Sequence, residues 1–502
     1  MLTDATTPGS DDWYLVELAN QLGRGFPRLQ RLDSYRDGTF VVPVEADPAV
    51  KEAYKKFAQK ARLTFADTIC VQTVGRLNLR GFRTAAEDDT HGDKEATRIM
   101  RANRLQVQLL DVFDTKETHG AAFVVVGLDE NRLPFATFRD GWTVTTMPNQ
   151  LRPWESDAAL IATFDPFNQQ DVLTLLRPGY MRVAVKPAEQ STIPQDGTEW
   201  QAGLDWDWVG GPMALGFTER VPVVKFANRN SLGGFENHID SIDRVTEDIL
   251  QRLTITAMQA FRQRAVTPGD GKPLPEFYPD DHETNPGERI NYDEIYKGGP
   301  AALWFLPEGA KIWESAPTDI NGLILAEGKD LEHVAAVTGT PLYALSPDAQ
   351  QSAEGAKLAR DTIRTKVRDR QVRDGESAAM LMSILFEAYG DATRAEVEAI
   401  EAMWGPMEYT TKADVAEAAR AAKQAGKSAR FIDEYIFELT PEQMELEAMN
   451  RRDEQFQDSL MEVSANGDFG SGGNSARGTQ ALTDGASDPA PLGALGELRP
   501  VE

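Results

Sequence analysis

The residues that could carry chemistry begin with Ala421–Ser428, AAKQAGKS, which fits the relaxed phosphate-loop pattern A/G-x-x-x-x-G-K-S/T. Such a loop works where a buried strand turns tightly into a helix, so that backbone N–H groups and a Lys surround a phosphate. Here the preceding residues, TKADVAEAARA, have helical composition with Asp414 near their start, and no Val, Ile or Phe run supplies a strand. The sequence predicts a turn at Ala425-Gly426 between two helices.

The histidines are His91, His119, His238, His282 and His333, and none belongs to an H-E-x-x-H pair. His282-Glu283 in DDHETNPGE begins that pattern, but the second His is missing and Pro286 would break the helix it needs. The Asp280, Asp281, His282, Glu283 cluster reads as an exposed acidic loop. His238, Asp240 and Asp243 stand at i, i+2 and i+5, which a helix places on different faces. There is no G-x-S-x-G elbow and no C-x-x-C, and VGGPMALG at 209–216 lacks the spacing of a dinucleotide loop. Acidic pairs such as Asp88-Asp89 are expected by chance among 79 Asp and Glu residues. The single cysteine, Cys70 in LTFADTICVQTV, forms no intrachain disulfide and reads as a small buried apolar residue suited to a reducing cytosol. No catalytic constellation, metal site or cofactor site is expected, which points to an assembly component.

The 502 residues suggest about three domains. A hydrophobic fraction of 41% and a charged fraction of 26% describe a soluble globular chain. The formal charge of -27 argues against gripping nucleic acid over the whole surface, because phosphate binding needs clustered cations. MLTDATTPGSDD has no signal-peptide pattern, and AAFVVVGL at 121–128 falls far short of the ~18 apolar residues of a membrane span. The chain is expected to be neither secreted nor membrane-inserted.

The elements follow from periodicity. In WYLVELANQLGRGFPRLQRLDSYRDG, Leu15, Leu18, Leu22, Phe26, Leu29 and Leu32 keep helical spacing, with a break expected at Pro27. Further helices are expected around 48–64 and 94–113. From Gly120 onwards AAFVVVG, ALIATF, VLTLL, MRVAV and VPVVKF read as short strands, making the first half an α+β unit. From Ile239 about 26 residues without Gly or Pro predict a helix of ~39 Å. Ile242, Val245, Ile249, Leu253 and Ala260 form its apolar stripe, opposite Asp240, Arg244, Glu247, Gln251 and Arg262. A Pro/Gly-rich excursion with strand-like pieces follows, then a second helix over Thr318–Val337 carrying Ile320, Leu323, Ile324, Leu331, Val334 and Val337. After TGTPLYALSPDAQ comes a very long helical pattern from Gln350 to Tyr389, basic along Lys357, Arg360, Arg364, Lys366, Arg368, Arg370 and Arg373. That basic face reads as a solvated helix surface with i,i+4 pairs, or as a contact with DNA or with an acidic neighbouring subunit. A small helical unit spans 411–463 after the Trp404-Gly405-Pro406 break, and the Gly/Ser/Ala/Pro-rich tail from 464 is expected to be disordered.

This order of elements, with VTGTPLYAL…SAEGAKLA and the opening helix as its most specific parts, resembles the portal proteins of tailed bacteriophages, closest to the type carried by phages of actinobacteria. The resemblance covers Trp13 to Glu462. It implies an α+β, multidomain ring subunit: a wing from 1–238 and 351–405, stem helices at 239–264 and 317–337, a clip at 265–316, a tunnel loop at 338–350 and a crown at 406–463. It further implies a homo-oligomeric ring, usually of twelve subunits, at one capsid vertex of the virion, assembled in the host cytoplasm. Double-stranded DNA would pass through the channel, with the terminase large subunit, a head–tail adaptor, and the major capsid and scaffold proteins as partners. In this carry-over Thr340, Pro341, Leu342, Tyr343, Ser346, Pro347 and Gln350 line the channel. Arg262, Arg264 and Lys272 lie near the docking clip, and Lys357, Arg360, Arg364 and Arg368 meet DNA or a neighbour. The acidic balance suits a conduit whose wall must not hold its cargo.

Two other classes compete. A packaging ATPase or nuclease would need a true phosphate loop followed by an acidic strand, or carboxylates clustered on strands. A capsid or scaffold protein would be a shell-forming sheet fold or a mostly helical, highly charged chain. The two long helices enclosing a compact excursion favour the portal reading.

Overall fold

Helix α1 (Asp11–Arg36) starts where the Ser10 hydroxyl accepts from the Trp13 N–H, with Asp11 and Asp12 in the positive first turn. The helix continues through Pro27, contrary to the break expected there. Leu15, Leu18, Leu22, Phe26, Leu29 and Leu32 are buried on both sides of it, so packing of one continuous apolar face outweighs the lost N–H donor.

The computed structural model describes residues 2, 5–41, 51–84, 86, 92–260, 264–267, 275–292, 311–314, 319–346, 353–407, 412–437 and 439–466. It divides into a unit over residues 1–445 and a second from 446 onward. After α1 come α2 (Lys51–Ala61), α3 (Phe65–Val74), β1 (Leu79–Arg83), α4 (Lys94–Ala102) and α5 (Leu105–His119). The β section holds β2 (Ala121–Leu128), β3 (Pro134–Arg139), β4 (Val144–Pro148), β5 (Ser156–Asp165), β6 (Gln170–Arg177), β7 (Tyr180–Pro187), β8 (Asp207–Trp208), β9 (Met213–Ala214) and β10 (Val223–Ala227). Then follow α6 (Ile239–Ala260), β11 (Arg264–Thr267), β12 (Lys311–Glu314), α7 (Asn321–Thr338), α8 (Leu342–Leu345), α9 (Ala353–Tyr389) and β13 (Glu401–Trp404). Helices α10 (Lys412–Gln424), α11 (Ala429–Tyr435) and α12 (Pro441–Asn466) close the order. The fold is α+β.

Two antiparallel sheets build the centre. In the order β10-β2-β3, Ala122, Val124 and Val126 face α5 and α9, while Phe123 and Val125 face Val144, Ala159 and Leu176 of the second sheet. A strand buried on both faces reads as an unbroken apolar run, which is why AAFVVVGL shows no alternation. The second sheet runs β4-β5-β6-β7-β8, with β9 also on β7, and packs Ala158, Leu160, Leu173, Leu175 and Ala184 against α1. Strands β1 and β13 pair across more than three hundred residues. Each is too short to announce itself in sequence.

Asp93 joins three segments. It caps α4 by accepting from the Ala96 N–H at 2.8 Å, and accepts from Thr84 at 2.5 Å and from Arg394 Nε at 2.8 Å. Burial works to raise its pKa, but the bonds from Thr84, Ala96 and Arg394 outweigh it and hold the carboxyl below its usual range. A depressed folded pKa gives stability that is present above the unfolded value and lost as pH falls through the folded one. In urea unfolding, Asp93→Ala is expected to cost about 2–4 kcal/mol at pH 7. The gap from the natural chain should narrow as pH drops below about 4.

Candidate channel and docking elements

Helices α6 and α7 pack together, with Ile242, Val245, Ile249 and Leu250 meeting Leu331, Val334 and Ala335 in a core shared with α1, α2 and α3. Arg252 Nε pairs with Glu327 at 2.8 Å and Arg244 with Asp330 at 2.9 Å, so ion pairs flank the apolar seam. Beside them, Asp248 has its pKa raised by burial and by the neighbouring carboxylates of Asp330 and Glu327. At the base, the Tyr35 hydroxyl donates to Asp243 at 2.7 Å and its ring stacks on Phe40, fixing α6 to the end of α1. The first half of α7 leaves this core, with Leu325 72% and Ile324 48% exposed.

Between the helices, β11 and β12 form an antiparallel ladder in which Arg264 stands opposite Glu314. Arg264 therefore lies in a strand rather than at the distal end of the first long helix, because α6 ends at Ala260 and the β-branched Val266-Thr267 extends against β12. Arg262 and Lys272 lie outside the described residues. His282 sits in an exposed loop where its Nδ1 accepts from the Asn285 N–H at 3.1 Å. Among the described residues no group of His, Cys, Asp and Glu could hold a metal, and no helix is long and apolar enough to cross a membrane.

Helix α7 stops at Gly339, whose φ of 67° is left-handed. Thr338 donates to the Val334 carbonyl and shares a hydrogen bond with the Thr340 hydroxyl at 2.9 Å, and Pro341 starts the single turn α8. Thr340, Pro341 and Leu345 are buried and Leu342 packs on the α6–α7 core. Thr340 and Pro341 thus do not offer their side chains to a channel, a correction that follows from the return of the chain against α3. Tyr343 is 49% exposed, within 3.4 Å of Arg76, and Ser346 is half-buried. Pro347 and Gln350 lie outside the described residues.

The basic stretch of α9 separates into two populations. Arg364 and Arg368 are exposed, Arg364 near Asp361 at 3.8 Å; Lys357 and Arg360 lie in the helix, with side chains outside the described residues. Lys366 and Arg370 point inward. Arg370 Nε donates to Glu117 at 2.5 Å, and Lys116 Nζ pairs with Asp374 at 2.6 Å with both side chains fully buried. Burial opposes the charge on Glu117, yet Lys116, Arg370 and Lys366 keep its pKa low; for Asp374 burial prevails over Lys116 and raises it. Burial also lowers the pKa of Lys366, whose ammonium has no hydrogen-bond partner among the described residues, and pushes the Cys70 thiol up to about 12. Glycine closes the cluster: a Cβ on Gly233 would lie 2.3 Å from the Thr118 carbonyl oxygen, and the Gly234 N–H donates to the Glu117 carbonyl at 2.6 Å. The signal was legible in KETHG, since Lys116 follows Val112 and Phe113 at i+4 and i+3 on the buried face of α5.

The AGKS stretch is a helix–turn–helix. Gly426 takes a φ of 76° after α10, and Ser428 caps α11 by accepting from the Phe431 N–H. The hydroxyl that a phosphate loop would use is committed to a helix end.

No protein family matches the sequence, and neither does any curated protein. Among solved structures the chain is similar to a chain in the neck of a native gene transfer agent particle computed with C12 symmetry, at 9% identity and a TM-score of 0.42, covering 80% of this chain and 95% of that one. It is also similar to a chain of the native gene transfer agent virion, at 12% identity and a TM-score of 0.40, covering 80% and 89%. A third is an HK97 family phage portal protein from Corynebacterium diphtheriae, at 13% identity and a TM-score of 0.33, covering 72% and 96%.

The buried pairs give a direct test. Lys116→Met is expected to lower the unfolding free energy by about 3–5 kcal/mol, because Asp374 is left without its partner. The double variant Lys116→Met/Asp374→Leu should recover most of that loss in the same urea titration.

Proposed function

We propose that this chain is one subunit of a portal ring, a structural conduit without enzymatic activity at a single vertex of a phage capsid. One observation carries the reading. The paired helices α6 and α7 bracket the antiparallel β11–β12 strand pair in the chain, which then passes through the one-turn α8 into the 37-residue α9. In this reading the helix pair is the stem, the β11–β12 pair belongs to the clip, α8 to the tunnel loop, and α10 to α12 to the crown.

The physics of the exposed groups supports a ring. A lone chain with Leu325 and Ile324 exposed on α7 leaves apolar surface in water, and a neighbouring copy would cover it. A net charge of -27 keeps a duplex from adhering to the wall. In this reading Tyr343 of α8 and Ser346 just after it would meet passing double-stranded DNA, and the exposed Arg364 and Arg368 would meet DNA or a neighbour. The ring would hold about twelve copies, would dock the terminase large subunit during packaging and a head–tail adaptor afterwards, and would sit among major capsid and scaffold proteins. Assembly in the host cytoplasm precedes its place in the virion.

Electron microscopy of the purified protein, averaged down the particle axis, is expected to show rings of about twelve subunits around an open channel. A compact monomer with ATPase activity, or closed shells, would contradict this. Leu325→Asp should leave the monomer folded and cut the ring fraction at least tenfold, because an unpaired carboxylate is placed in a desolvated contact.

A further inference from the structure

The sheet β4-β5-β6-β7-β8 has one face on α1 and another that is covered only in part. Val144, Ala159 and Leu176 of that second face pack on β2 and β10, and Ile161 packs against the same cluster. Strand register places the rest of the face together. Ile161 stands opposite Thr174 and Thr174 opposite Val183; Thr163 stands opposite Val172, Val172 opposite Val185 and Val185 opposite Asp207. Val209 continues the first row through its N–H bond to the Val183 carbonyl and is 51% exposed. Trp208, between Asp207 and Val209, turns the other way to donate to Asp12 near the start of α1. A sheet face turned to water normally alternates into charged and polar residues. Here Thr163, Val172, Thr174, Val183 and Val185 are half-buried and Val209 is exposed, with Asp207 at the rim.

The same sheet carries a shaped apolar projection. In the β4–β5 loop the Asn149 side chain accepts from the Leu151 and Arg152 N–H groups and donates to Asp157, while the Asn149 N–H bonds the Glu155 carbonyl. These bonds fix the loop, yet Leu151 is 91% and Trp154 73% exposed. A rigid aromatic tip held out in water is the form of an interface hot spot.

We infer that the β4–β5 loop of one copy seats on the valine face of the next, with Arg152 directed to the acidic rim at Asp207. The occupant is a second copy of this chain. At a net charge of -27 per copy, two copies approach only through neutral or oppositely charged surface, and this face and loop supply both. A contact between two different patches is head-to-tail, so it propagates and closes into a ring when the rotation allows. The inference rests on the ring reading for its closure, but the contact itself is independent of it.

The test is the variant Trp154→Cys/Val172→Cys treated with a short bis-maleimide cross-linker, with the natural chain as control for buried Cys70. Cross-linked assemblies of the double variant are expected to give a ladder of multimers on denaturing gels, and each single variant only monomer. Rings by electron microscopy without a ladder, or dimers from Trp154→Cys alone, would overturn the contact and leave the ring reading standing. A ladder of open chains without rings would uphold the contact and overturn closure; neither ladder nor rings would overturn both. Independently, Leu151→Ser/Trp154→Ser, which alters only exposed side chains, should reduce the assembled fraction at least tenfold with an unchanged circular dichroism spectrum. Unchanged assembly would reject the contact.

Discussion

The join between α5 and the very long α9 is held by charges taken out of water. Lys116 and Asp374, both fully buried, join α5 to α9, and Arg370 with Glu117 repeats the join about one turn of α9 away. Each ion loses hydration that only a close partner restores, so the register between the helices is set by geometry that a purely apolar seam would leave free to slide. The loop before α6 is drawn into the same place by Gly233 and Gly234, which let its backbone approach Glu117 and Thr118. The helix pair therefore springs from a point whose position is fixed relative to α9.

Much of the fold could be read from the sequence because its elements are strongly periodic. The opening helix, the paired helices, the very long α9 and the strands AAFVVVG, VLTLL and MRVAV all lie where the pattern put them. Three things could not be read. Pro27 is carried inside α1 by packing on both sides, a tertiary effect that local propensity does not contain. Strands β1 and β13 depend on each other across the chain, so neither has a signal alone. The basic run of α9 looked uniform in sequence, whereas burial divides Lys366 and Arg370 from Arg364 and Arg368.

The candidate site was legible in outline and not in detail. Pro341 and Gly339 marked a turn at the end of α7, and that turn is present. Which of its side chains reach solvent depends on how the turn folds back onto α3, and Thr340 and Pro341 prove buried while Tyr343 is not. The AGKS stretch shows the same limit from the other side: residue types suggest a phosphate loop, and the helix cap at Ser428 decides against it.

The central claim is that α6 and α7 act as the wall of a channel. A high-resolution cryo-electron microscopy reconstruction of the assembled ring tests it most directly. The account predicts that the α6–α7 pairs of all copies surround the symmetry axis, with Leu325 and Ile324 covered by the adjacent copy and α8 facing the open centre. Helix pairs directed outward from the axis, with those residues still in solvent, would contradict it.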